Sequence, residues 1–161
     1  MLQKNFPAAL QRTYEMIKIV DMNALHIPAL AQLEKICFGS CAWTEQGLAD
    51  ELTNDTAHFL VAENEEGVAG YIGIFVVCES CYVSDIAVYP QFRRQGVASA
   101  LIKKASADAA VLGAQSISLE VRPSNEAAVK LYRSLGFDDI GLRKRFYRDP
   151  EEDALIMTKV L

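Results

Sequence analysis

No apolar run in the chain is long enough to form a membrane helix. The longest, Val68 to Cys78, contains two glycines and falls short of the ~18–20 residues a span requires. The first residues, with Lys4, Asn5 and Pro7 around a very short apolar patch, lack the apolar core of a secretory signal. Cytoplasmic residence is therefore the expectation, with no membrane partner. Positive charge is scarce as well. A formal net charge of -5 argues against a nucleic-acid partner, because phosphate affinity is built from massed lysine and arginine. A small or basic substrate suits it better. Cations concentrate at Arg93-Arg94 and at Arg143-Lys144-Arg145 with Arg148, and such runs are often solvated turns. Internal repeats and low-complexity tracts are missing. The four cysteines fall as Cys37 with Cys41 and Cys78 with Cys81. A thiolate zinc site can be drawn from that spacing, but Cys78 and Cys81 flank a hairpin turn and Cys37 ends a helical stretch. Ordinary thiols and no metal are expected.

What is present describes one domain. With 161 residues, 51% of them hydrophobic and 23% charged, the chain can bury roughly two-thirds of its unfolded surface. Residues 1–13 read as an extension and residues 14–161 as the domain. Tyr14 to Val20 alternates as a first strand. Leu25, Ala29, Leu33 and Ile36, with Pro28 in an early turn, predict a helix over 24–38 ended by Gly39-Ser40. Thr44 caps a second helix running to about Leu52. Ala57 to Glu63, Val68 to Cys78 and Tyr82 to Tyr89 predict an antiparallel meander. Gly96 opens a long helix with an apolar stripe through Val97, Ala98, Leu101, Ile102, Ala105, Ala109 and Leu112, and Gly113 closes it. Ser116 to Arg122 alternates, with Glu120 on the face away from Ile117, Leu119 and Val121. Ser124 caps a last helix bearing Ala128, Leu131, Tyr132 and Leu135, with Gly136 at its C-cap. Strands near 137–142 and 152–160 finish the order β-α-α-β-β-β-α-β-α-β-β. The fold class is α/β, a mixed, mostly antiparallel sheet flanked by helices.

The segment Asp85-Ile86-Ala87-Val88-Tyr89-Pro90-Gln91-Phe92-Arg93-Arg94-Gln95-Gly96-Val97-Ala98 is the most informative. An apolar strand runs into a basic, glycine-ended turn and then a helix, so free N–H groups and the positive end of the helix dipole converge on one spot. That spot suits a pyrophosphate. Gly96 permits close backbone approach, and the small Ala98 leaves the first helical turn open. Trp43, just before the Thr44 cap, is either a hydrophobic anchor or the wall of a substrate pocket.

Arg93-x-x-Gly96-x-Ala98 at a strand-to-helix junction, with Asn125-Glu126-Ala127-Ala128 and Leu131-Tyr132-Arg133-Ser134-Leu135-Gly136-Phe137 downstream, resembles the GCN5-related N-acetyltransferase (GNAT) superfamily. Trp43-Thr44, Leu119 to Asn125, Arg145-Phe146-Tyr147 and Glu152 to Met157 narrow the resemblance to the bacterial ribosomal-protein alanine N-acetyltransferases of the RimI type. The resemblance implies acetyl-CoA as cosubstrate and a protein N-terminus, of a ribosomal protein, as acceptor. It implies Glu120 as proton acceptor and Tyr132 as proton donor. Cofactor contacts are implied for Ile86, Ala87 and Val88, for the turn Arg93, Arg94, Gln95, Gly96, Val97, Ala98 and Ser99, and for Asn125. Trp43 and Tyr147 are implied on the acceptor side.

The residues themselves agree with that chemistry. Attack on a thioester needs a neutral amine, and an α-amine with a pKa near 7.7–8.0 is neutral in roughly a tenth of molecules at pH 7. A carboxylate acting through water suffices as base. A backbone N–H near Val88 suits the developing oxyanion. Plainer readings stand beside these: Glu120 as a solvated edge residue, Tyr132 as a core aromatic, Asn125 as an ordinary helix-start residue. Acetylation of a small amine, a lysine or an aminoacyl group is the alternative activity, and a non-catalytic acyl-CoA-binding module the alternative class.

Overall fold

Short turns and period-two alternation produce strands β1 (Lys18–Asp21), β2 (Ala57–Asn64), β3 (Gly67–Val77), β4 (Ser80–Val88), β5 (Ser116–Val121), β6 (Asp138–Arg148) and β7 (Glu151–Val160), with helices α1 (Ile27–Phe38), α2 (Glu45–Asp50), α3 (Val97–Val111) and α4 (Glu126–Ser134) between them. These come from a computed structural model that describes residues 16–161. The strands form one seven-stranded sheet in the order β1-β2-β3-β4-β5-β7-β6. Every pairing is antiparallel except β4 with β5. The order of elements is the expected one. The extension 1–13 and the first residues of the expected strand at Tyr14 lie outside the described residues. No helix among the described residues is long and apolar enough to cross a membrane.

Two cores cover the two faces of the sheet. On one, Leu101, Ile102, Ala105 and Ala109 of α3 and Val129 and Tyr132 of α4 pack on Ile117, Leu119 and Val121 of β5 and on Leu60, Ile72 and Ile74. On the other, Ile27, Leu30, Ala31 and Leu33 of α1 and Leu48 of α2 pack on Phe59, Val61, Tyr71 and Ala87. Each buried aliphatic side chain contributes about 1.5–3 kcal/mol, so both helical layers are firmly anchored.

Several details depart from the sequence reading. Leu25 is 89% exposed and Ile36 50% exposed. The segment begins as a 3-10 turn, Ala24–His26, capped by Asn23, which rotates Leu25 off the face that α1 buries. The long helix α3 stops at Val111, and Leu112, its C-cap, lies exposed. Asn125, not Ser124, caps α4, its Oδ1 accepting from Ala128 N at 3.3 Å. The Ser124 hydroxyl instead donates to Glu152 at 2.8 Å. The hairpin turn lies at Cys78-Glu79, with Cys78 in the left-handed region at φ 54°, and β4 already starts at Ser80. The largest difference is β6, which runs six residues beyond the expected end through Arg143 to Arg148. An irregularity between Arg143 and Tyr147 lets a charged stretch stay paired with β7.

Candidate active site

The sheet opens where β4 and β5 meet. These two strands pair only over Ser80–Ser116, Cys81–Ile117 and Tyr82–Ser118, and beyond that point they part. Residues 84–88 on one strand and 119–121 on the other therefore line a split in the middle of the sheet. A bulge at Ser84, where the register with β3 steps from Gly73–Asp85 to Ile74–Val83, twists β4 away from β5. Open splits of this kind at the carboxyl end of a parallel pair are where α/β sheets bind ligands.

The split continues into a cavity of about 390 Å³ lined by Val88, Phe92, Arg93, Arg94, Gly96, Val97, Ala98, Ser99, Ala127, Ala128 and Leu131, within the range of ligand-sized pockets. The start of α3 forms its floor. Gly96, at φ 81°, is the N-cap and offers no side chain to the first turn. The N–H groups of Val97, Ala98 and Ser99 consequently point outward without the partner that a serine or aspartate cap supplies. A Cβ built on Gly96 would meet nothing within 4 Å, so the position faces open space. This geometry fits a diphosphate, with α3 directing its positive end at it.

Seven of the expected cofactor residues, Val88, Arg93, Arg94, Gly96, Val97, Ala98 and Ser99, line this cavity; Ile86, Ala87, Gln95 and Asn125 do not. Ala87 is buried on the α1 side, the Gln95 side chain donates to Gln91 O at 3.0 Å, and Asn125 caps α4. Arg93 is partly committed as well: its Nε donates to Val88 O at 3.0 Å and its Nη2 reaches Cys37 Sγ at 3.5 Å. Phe92, Ala127, Ala128 and Leu131 supply an apolar wall that the sequence reading did not assign. Cys37, Cys41, Cys78 and Cys81 are all free thiols. Burial pushes the Cys37 thiol up, with Arg93 pulling the other way. No group of three or more potential metal ligands occurs among the described residues.

Glu120 and Tyr132 approach the split from its two faces. Glu120 lies past the last β4–β5 pair, on the face opposite the α3–α4 core, and ion-pairs with Arg143 Nε at 3.4 Å. Tyr132 is buried under α4 with its ring 5.8 Å from that of Phe137. Burial, reinforced by the neighbouring Tyr147, pushes its phenol up to about 12, which keeps the hydroxyl protonated at any physiological pH. Tyr147 lies near both, its phenol adding to the shift of Tyr132 and the Glu120 charge adding to its own. Arg122 lies 4.2 Å over its ring, and Glu152 holds Arg122 at 3.1 Å while also accepting from Ser124 N at 2.8 Å. The β5–α4 turn, the β6–β7 hairpin and Tyr147 thus form one braced unit. Burial pushes the Tyr147 phenol up to about 12; Arg122 opposes that shift, and Glu120, Glu152 and Asp85 add to it.

Trp43 is held on both its apolar and its polar sides. Its ring meets Phe59 edge-on at 6.0 Å. Its backbone N–H donates to Glu34 Oε2 at 2.9 Å and its indole N–H to Asp85 Oδ2 at 2.5 Å. Glu34 is fully buried, and its other oxygen accepts from Tyr71 Oη at 2.5 Å. Glu34 and Asp85 were not assigned by the sequence reading. The available signal was a carboxyl inside an otherwise apolar stripe, at Leu30, Ala31, Leu33 and Glu34 on α1 and at Asp85-Ile86-Ala87-Val88 on β4.

Desolvation pushes Asp85 up to about 7 from 3.8; the indole bond opposes the shift, and the Glu34 charge adds to it. With the folded-state value above the unfolded one, the associated stability is present below about pH 4 and is lost as pH rises through about 7. Asp85→Asn is accordingly expected to match the parent in Tm near pH 4 and to exceed it at pH 8. The gain is about 1–3 kcal/mol after solvent screening. Equal Tm differences at both pH values would show that Asp85 carries no such strain.

The split sheet and the open helix N-terminus together suit a ligand that carries a diphosphate and an extended arm. Residues 27–137 match the acetyltransferase (GNAT) family, and the chain belongs to that family, whose members use acetyl-CoA. Similarity extends to named relatives. The Escherichia coli [ribosomal protein bS18]-alanine N-acetyltransferase is 31% identical over 86% of this chain and 94% of its own length. A Bacillus subtilis protein that carries the same name provisionally is 37% identical over 85% of this chain and 91% of its own. The crystal structure of the Escherichia coli ribosomal-protein-S18-alanine N-acetyltransferase superposes with a TM-score of 0.81 at 29% identity, covering 90% of this chain and 94% of that one.

Proposed function

We propose that this acetyltransferase modifies the N-terminal α-amine of a protein in the cytoplasm, preferring alanine, with a ribosomal protein as the cellular acceptor. The observation that supports the reading is a carboxylate, Glu120, and a buried protonated phenol, Tyr132, both near Tyr147. Similarity to relatives named for alanine N-acetylation supports the choice of acceptor.

Bound acetyl-CoA supplies an acetyl thioester, and the chain's own residues do the rest. The α3 N–H groups and Arg94 hold the diphosphate, and the wall of Phe92, Ala128 and Leu131 takes the apolar arm. Glu120 accepts a proton from the amine as the C–N bond forms, directly or through one water. A backbone N–H of the β4 edge near Val88 stabilises the oxyanion. The Tyr132 hydroxyl protonates the departing thiolate. Trp43 and Tyr147 bound the acceptor side.

A panel of amines tests this: peptides beginning in alanine, serine and methionine, a peptide with only a lysine amine free, and small polyamines. The alanine peptide is expected to show the highest kcat/KM, and mass spectrometry of cellular N-termini with and without the protein should show one ribosomal protein losing its acetyl group. Preference for a lysine or a small amine would transfer the assignment to that acceptor class.

A further inference from the structure

Among the described residues, Asp85 is an acidic side chain at the split with neither a cation beside it nor hydrogen bonds to both of its oxygens. Glu120 has Arg143 at 3.4 Å and Glu152 has Arg122 at 3.1 Å. Glu34 has both oxygens occupied, by Tyr71 and by Trp43 N. Asp85 has only the indole of Trp43, on Oδ2. The groups whose charges bear on it are Glu34 from α1, the Tyr71 phenol from β3 and the Tyr147 phenol from β6. None of them is cationic. Oδ1 has no hydrogen-bond partner among the described residues, yet it is not sealed, because Ser106 Oγ is the only fully enclosed side-chain polar atom without a partner there. That oxygen is therefore not fully enclosed, on a half-buried carboxyl.

Its direction follows from the strand register. Parallel pairing ends at Tyr82–Ser118. Two residues further along, Glu120 on β5 comes level with Ser84 on β4, and the bulge at Ser84 turns Asp85 onto the same face as Glu120, the face carrying Trp43 and Phe59. The Tyr147 phenol feels both carboxyls. Two carboxyl groups thus lie on one face beside the split, Glu120 paired with arginine and Asp85 with no cation beside it. An uncompensated carboxyl in a site of low dielectric is a strong attractor for an ammonium group.

We propose that Asp85 binds the incoming amine in its ammonium form and takes the first of the two protons that the nitrogen gives up. This rests on the amine-acceptor reading above and deepens it. Proton transfer from the ammonium to Asp85 Oδ1 leaves a neutral amine whose lone pair forms the C–N bond. Glu120 takes the second proton, the C–S bond breaks, and the thiolate takes a proton from Tyr132. The proton on Asp85 passes to solvent, so one proton is released per turnover. A carboxyl titrating near neutrality can both receive and release a proton at working pH. Trp43 is a positioning residue in this scheme, since its indole fixes Oδ2 and leaves Oδ1 for the amine.

The test uses the full chain, acetyl-CoA and a peptide beginning in alanine. Asp85→Asn retains a carbonyl to accept from the indole and removes the charge. Its KM for the peptide is expected to rise about tenfold or more at pH 7, with a smaller gap at pH 9, where the α-amine is already neutral, and with acetyl-CoA affinity unchanged. In the parent, carbon-detected NMR of the Asp85 carboxyl is expected to show its titration midpoint falling when the peptide is added together with CoA. An unmoved midpoint at saturating peptide, or the same KM as the parent at both pH values, would overturn the proposal. Those outcomes with an active parent remove Asp85 and leave the α-amine reading standing. If the parent prefers another amine, the α-amine reading falls, and the same KM comparison and titration on that amine decide the role of Asp85.

Discussion

Gly96→Leu is expected to weaken acetyl-CoA binding by about 1–3 kcal/mol, the scale of lost charge-assisted hydrogen bonds, while the domain stays folded. The reasoning separates two costs. Gly96 sits at φ 81°, so any side chain there carries left-handed strain of roughly 1–2 kcal/mol that lowers stability. The second cost falls on the ligand alone. A Cβ at Gly96 meets no protein atom within 4 Å, so the added leucine projects into the space before the N–H groups of Val97, Ala98 and Ser99. Gly113 provides the control. It stands just beyond the other end of α3 at φ 97°, also with nothing within 4 Å of a built Cβ. Gly113→Leu should lose similar stability without losing affinity. Calorimetric titration with acetyl-CoA and a melting curve for each variant check this. Parent-like affinity in Gly96→Leu would place the diphosphate elsewhere.

The features that proved legible in the sequence are those set by local rules. Ile117, Leu119 and Val121 alternate because β5 is buried on one face, and that alternation alone put Glu120 on the other. Gly96 and Gly113 bracket α3 because both require positive φ, which only glycine adopts without strain. What escaped was decided by partners distant in the chain. Arg143 to Arg148 reads as a solvated tip because it is charged, yet pairing with β7 and bonds such as Arg145 N to Asp153 at 2.8 Å hold it in a strand. Ser124 and Asn125 are equally good caps; Glu152, 28 residues away, claims Ser124 and leaves the cap to Asn125. Glu34 and Asp85 are harder still. Their roles depend on Trp43, on Tyr71 and on a one-residue bulge in β4, none of which has a period or spacing to detect. The apolar wall of Phe92, Ala127, Ala128 and Leu131 is likewise a product of α4 packing beside α3.

Glu120→Gln and Tyr132→Phe are expected to reduce kcat by about 10- to 1,000-fold each, with acetyl-CoA affinity nearly unchanged, and to differ in how they respond to pH. Glutamine keeps the shape of Glu120 and can still accept from Arg143, so β5 and β6 should stay in register; only the proton acceptor is lost. Because an α-amine has a pKa near 7.7–8.0, raising the pH delivers the amine already neutral, leaves Asp85 free to take the proton that Glu120 would have taken, and should recover part of the loss. Tyr132→Phe removes a hydroxyl whose burial pushes it up to about 12. That phenol stays protonated from about pH 6.5 to 9.5, so no change within that window replaces it, and the defect should persist. The ring itself remains packed against Phe137, which separates loss of the donor from loss of the fold. Measuring kcat across that range with an alanine peptide therefore reads two different proton transfers from one pair of variants. Parallel profiles would mean that both residues act on the same step or only on structure, and parent-like rates in both would move the chemistry to other groups in the split.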